Sequence, residues 1–193
     1  ERVQDKMEAV DRMVKVVVEI DHFKEIFWDN PLASYHEFCL VGILDGLKIQ
    51  KPNQDNLYVG FIIECLDAVL HNFENRLWAE REIKEKGIEF ETRFGKGLGL
   101  ETINDSVVKI GQKMGYMIVV RKAPRKGYVR VKARPSTDID LTLVYEKLKK
   151  MDPEATWFFH ISKKMLLNGS VKNPKMRATK LSLGDIIEVL RKI

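Results

Sequence analysis

Two hydrophobic periods divide the chain. Up to Gly87 the apolar positions recur every three to four residues, and beyond it they alternate with polar ones. Val3, Met7, Val10, Val14 and Val17 share one helical face, and Met13, Val16, Ile20, Phe23 and Phe27 form a second stripe. Two stripes make a wide apolar surface. This first helix is therefore expected to pack on more than one side, with Pro31 stopping it. Ser34-x-x-Glu37 has the form of a capping box and predicts a second helix reaching about Gly46. A third helix is predicted from Asp55 to Lys86, burying Ile62, Leu66, Val69, Phe73 and Leu77 and ended by Gly87.

Past Gly87, Ile88, Phe90, Thr92 and Phe94 alternate with Glu89, Glu91 and Arg93, as in a half-buried strand. A short strand follows over Leu98 to Thr102, then a helix capped by Asn104 or Asp105 and ending near Gly115. Strands at Tyr116 to Arg121 and Tyr128 to Arg134 flank the turn Ala123 to Gly127. A helix is predicted from Asp140 to Lys150, and an aromatic strand from Thr156 to Ile161. Ser162 to Lys180 reads as one long irregular basic loop, and Ser182-x-x-Asp185 opens a final capped helix. The fold class is α+β. Residues 1–87 form a helical segment, and 88–193 a basic domain whose small, mixed, largely antiparallel sheet carries helices packed on it.

Charge sharpens this division. Residues 1–87 carry 11 Lys and Arg against 17 Asp and Glu, a net −6, whereas 88–193 carry 22 against 11, a net +11. The second half thus calls for a polyanionic partner. No apolar run is long enough to span a bilayer and no signal peptide is visible, so no membrane partner is expected. Cys39 and Cys65 sit singly in helix-like segments, which fits a reduced, cytoplasmic setting. A chain that begins Glu1-Arg2-Val3 reads as a piece of a longer protein.

The positive charge clusters in two acid-free segments. One is the hairpin, with Arg121, Lys122, Arg125, Lys126, Arg130, Lys132 and Arg134. Alternation puts Tyr128, Arg130, Lys132 and Arg134 on one face of its returning strand, a stripe that can track phosphates while the ring stacks on a base. The plainer explanation is a solvated sheet face with basic stems lying over apolar surface. The other segment is the loop after Ser162. Its Asn168-Gly169-Ser170 turn can aim N–H groups and a hydroxyl at an anion, with Lys172 and Asn173 extending the pocket. His160 and Ser162 at the end of the aromatic strand can donate to the same ligand, although a strand-end histidine is most simply a satisfied structural one. A loop of this length inside a compact domain is usually functional or disordered.

Other constellations carry less. Glu64, Asp67, His71 and Glu74 share a helical face, as metal ligands in bundles do, but also lie opposite an apolar stripe as a solvated side would. Asp21 brings a carboxylate into an apolar stripe, where it must be paired, metal-bound or near a helix end. Gly95-Lys-Gly-Leu-Gly99 lacks the Gly-Lys-Ser/Thr ending of a phosphate loop and reads as a turn or kink joining two strands.

The run from Met117 to Pro135, the strand end His160-Ile161-Ser162 and the turn Leu167-Asn168-Gly169-Ser170 resemble the C-terminal half of the melanocyte-proliferating-gene exonuclease family, in a prokaryotic branch. That family is similar to the DHH phosphoesterases, named for an Asp-His-His motif. Val18-Glu-Ile-Asp21 and Asp29-Asn30 resemble the segment closing the family's catalytic half. The adjacent histidines of the family's metal motifs are missing, since His22, His36, His71 and His160 never neighbour one another, and Lys163 stands where the family tends to place Gly. The resemblance implies metal-dependent phosphodiester hydrolysis, with Mn or Mg, for a longer protein. It leaves this chain alone without the catalytic set.

The expectation is therefore the substrate-binding part of a DHH-type phosphoesterase or exonuclease acting on single-stranded RNA or DNA or short oligonucleotides. Arg130, Lys132 and Arg134 would hold phosphates and Tyr128 would stack. His160, Ser162, Asn168, Gly169, Ser170, Lys172 and Asn173 would grip a terminal phosphate or sugar. The alternatives are a helical dimerisation or protein-interaction module, with the first helix as the seam of a homodimer, and a phosphoesterase of small nucleotides.

Overall fold

A computed structural model of the protein describes residues 2–135, 138–169, 173 and 175–192. The α+β class holds, with six α-helices and one six-stranded mixed sheet among the described residues. The chain divides into two compact units, Glu1–Leu77 and Trp78–Ile193. The division falls inside a helix, before the Gly87 at which the hydrophobic period changes.

The first unit holds α1 (Arg2–Asp21), α2 (Leu40–Gln50) and most of α3 (Asp55–Lys86). Helix α1 ends at Asp21, well before Pro31, because Phe23 adopts a left-handed backbone with φ 57°. The Ser34-x-x-Glu37 box does not cap a helix. Ser34–Phe38 is itself a short 3-10 helix, and the extended Cys39 separates it from α2. Ala9 and Leu77 are the only buried apolar side chains described in this unit, and Ile62, Leu66, Val69 and Phe73 are half-buried.

The second unit holds the sheet. Its strands are β1 (Ile88–Thr92), β2 (Gly95–Glu101), β3 (Ile118–Lys122), β4 (Val129–Ala133), β5 (Trp157–Phe159) and β6 (Met165–Asn168). They lie in the order β1-β2-β3-β4-β6-β5, with β2 and β3 parallel and every other pair antiparallel. The glycine run Gly95 to Gly99 is part of β2, and Phe90 crosses it so closely that a Cβ at Gly97 would overlap the ring. The expected long loop after Ser162 contains β6. Leu166 is fully buried there, and its strand wedges between β4 and β5. An apolar Met-Leu-Leu triplet among lysines was enough to nucleate a strand once two neighbours offered their edges.

One face of the sheet packs on α5 (Thr142–Met151) and α6 (Leu183–Arg191), through Ile118, Val120, Val129, Val131 and Leu166 against Val144, Leu148, Ile186 and Leu190. The predicted capping box of α6 forms, with Ser182 and Asp185 each accepting from the other's backbone N–H. Among the described residues of this unit, the opposite face is covered only at β2 and β3. There Leu98, Leu100 and Val119 meet α4 (Ser106–Lys113) and Ala79 and Ile83 near the end of α3. No helix among the described residues is long and apolar enough to cross a membrane.

Candidate functional site

The uncovered part of that face is positioned by β-sheet pairing. Arg121 on β3 lies opposite Arg130 on β4, and Arg130 opposite Leu167 on β6. Residues paired across strands share a face, so the two arginines stand side by side. Around them opens a cavity of about 630 Å³, walled by Ile103, Asp105, Arg121, Arg125, Lys126, Tyr128, Arg130, Leu167 and Gly169 among others. Four cations and one carboxylate line it.

Asp105, just ahead of α4, holds the pair of arginines. One carboxylate oxygen accepts from Arg130 Nη1, and the other lies 3.8 Å from Arg121 Nε. Asp105 is held in this place because the preceding Asn104 does the capping, its Oδ1 accepting from Ser106 N at 2.9 Å. Arg121 also donates through Nη2 to Ile103 O at 3.2 Å, but its buried Nε has no hydrogen-bond partner among the described residues. Burial pushes the Arg121 guanidinium below its ordinary pKa, Asp105 opposes this and Arg130 adds to it. An arginine remains cationic all the same.

Tyr128 and Gly169 form the far wall. Gly169 has φ +80°, and a Cβ there would run into the Tyr128 ring, so the turn after β6 accepts only glycine without rearrangement. Lys126 Nζ sits 6.0 Å from the centre of the same ring.

The residues expected from the sequence are only partly brought together. Tyr128, Arg130 and Gly169 line the cavity. Lys132 continues the same face one step along β4, half-buried and opposite Met165. Arg134 lies beyond the strand end and is exposed. His160 and Ser162 sit at the opposite end of β6. His160 N donates to Met165 O, which leaves about 13 Å of strand between them and Gly169. They form a closed turn. His160 Nδ1 accepts from Ser162 N at 3.1 Å and lies 2.8 Å from Ser162 Oγ, which puts the proton of a neutral ring on Nε2.

Asn168 must be corrected as a ligand-gripping residue. It is fully buried. Its amide donates to Thr156 O and Arg177 O, at 2.9 and 3.0 Å, and accepts from Thr179 N at 2.6 Å. Every polar atom of that side chain is spent on joining three segments. Asn173 is exposed and turns back on Lys175 N, while Ser170 and Lys172 lie outside the described residues. Other loop cations are engaged elsewhere, Lys163 with Asp140 at 3.0 Å and Lys180 with Glu154 at 3.4 Å. Arg121, Arg125 and Lys126 belong to the site although only their membership of a basic hairpin marked them. Asp105 was marked in the sequence only as a possible helix cap, not as a partner of the arginines.

No three His, Cys, Asp or Glu side chains converge in a metal-holding group among the described residues. Asp21 is largely exposed, with His22 Nδ1 3.9 Å away. The donors of the described residues do not make up the ligand set that two-metal hydrolysis requires. No protein-family model, no curated protein and no solved structure matches this chain.

Proposed function

We propose that residues 78–193 bind single-stranded nucleic acid or short oligonucleotides through the cavity on the open face of the sheet. In this reading the chain is the substrate-holding part of a DHH-type phosphoesterase, with metal and hydrolysis supplied by residues outside it. The observation that carries it is the placement of Arg121, Arg125, Lys126 and Arg130 around one cavity with a single carboxylate against them. A guanidinium fork matches the geometry of a phosphate. The acid-poor second half adds long-range attraction for a polyanion.

Binding of a fluorescent oligonucleotide measured against salt tests this. Affinity is expected to fall steeply as salt rises, because each neutralised phosphate releases counterions. Replacing Arg125, Lys126 and Arg130 together with Ala should weaken binding to all sequences and flatten the salt slope. An affinity indifferent to ionic strength would remove phosphate contacts from the reading. A second reading, a protein-interaction module, is favoured by the first unit alone, where Leu32, Phe38 and Phe27 are 99%, 84% and 80% exposed.

A further inference from the structure

Beside the cationic cavity the open face carries an aromatic ring that the cavity does not use. Phe158 on β5 lies opposite Leu167, which lies opposite Arg130, which lies opposite Arg121. The four residues form one row across four adjacent strands, on the face away from α5 and α6. The neighbouring row continues with Lys132 opposite Met165. Phe158 is 48% exposed, whereas its neighbours in β5, Trp157 and Phe159, turn to the other face and pack against the core. His160 meets its edge, with ring centres 6.3 Å apart. The ring presents an apolar face to solvent, flanked by half-buried Leu167 and Met165.

The charge around it selects the occupant. Two inter-strand spacings separate Phe158 from Arg130, about 10 Å of sheet. A charge for a phosphate and a face for a base thus lie in one row of the sheet. Tyr128, the other ring nearby, lies hard against Gly169 and has that side closed. We infer that Phe158 is a stacking platform for an unpaired base whose phosphate lies over Arg121 and Arg130. This rests on the function proposed above and narrows its substrate class. A base can lie flat on Phe158 only when it is free of a complementary strand, so duplexes are excluded from full engagement.

The test uses the whole chain with Phe158→Ala and Phe158→Tyr, against a short oligothymidylate, the matching duplex and an abasic oligomer of equal charge. Phe158→Ala is expected to weaken oligothymidylate binding about tenfold. Phe158→Tyr should restore it, and the salt slope should stay unchanged. The abasic oligomer should bind wild type and Phe158→Ala alike. Equal oligothymidylate affinity for wild type and Phe158→Ala, with the arginine and lysine variants still impaired, would overturn the platform and leave the phosphate site standing. If wild type binds none of the three probes, the nucleic-acid reading fails as a whole. A protein ligand covering Phe158 would then be the remaining occupant.

Discussion

Asp105 sets the balance of the cavity. Its carboxylate pairs with Arg130 and approaches Arg121, so two of the four cations reach a phosphate only in competition with it. Such a partly exposed pair is worth on the order of 1 kcal/mol. Asp105→Asn is therefore expected to tighten oligonucleotide binding about fivefold at low salt, measured by anisotropy. Weaker binding would mean that Asp105 matters as the brace holding Arg130 rather than as its competitor. Legibility at this scale was uneven. Arg130 and Tyr128 followed from alternation along one strand, because sheet periodicity fixes which side chains share a face. Asn168 was misread because an Asn-Gly pair signals a turn. Its three partners, at Thr156, Arg177 and Thr179, are brought to it only by the folded sheet.

Among the elements, α5 shows how a local pattern becomes stability. Asp140 accepts from Thr142 N at 2.8 Å and from the Thr142 hydroxyl, and Lys163 reaches the other oxygen from the β5–β6 turn. Those bonds to Thr142, with Lys163 adding less, lower the Asp140 pKa to about 2 from an unfolded value near 3.8. A lowered carboxyl pKa stabilises the fold above the unfolded value, and that stability is lost as pH falls through about 4 towards 2. Asp140→Ala should cost about 1 kcal/mol near neutrality, as loss of a helix-start acceptor does. The variant should also lose less stability than wild type between pH 4 and pH 2. Parallel acid titrations of the two proteins would expose any failure of this linkage. The bounds of α3 were readable because a long periodic run ends at Gly87. β6 was not, since four residues carry no period to speak of and their strand identity comes from the edges of β4 and β5.

For the whole molecule, the contrast between units is one of burial. Nearly all the fully buried apolar side chains lie in Trp78–Ile193, while the first unit leaves Phe23, Phe27, Leu32 and Phe38 mostly exposed. Marginal domains depend on burial for their stability. Residues 78–193 expressed alone are therefore expected to unfold cooperatively and to keep the oligonucleotide affinity of the full chain. Light scattering should find that fragment monomeric and the full chain at a higher mass, as the second reading requires. A fragment that fails to fold would move the core's support into the first unit. The sequence disclosed the two regimes through the change of period and of charge sign at Gly87. It did not disclose how little the helical part buries, because amphipathic stripes announce a face without naming what meets it.

The buried amide of Asn168, at the end of β6, also bears on how the protein ages. An asparagine followed by glycine is the pair most prone to lose its amide through a cyclic imide, since glycine leaves the next backbone nitrogen free to attack. Here the amide is anchored on both sides and closed off from water. The native sheet therefore protects it, and each spell of unfolding exposes it. Conversion to aspartate would replace two donors with a group that only accepts, facing the carbonyls of Thr156 and Arg177. A chain so altered would find the closing of its last strand opposed, and chemical damage suffered while open would be recorded as a failure to refold.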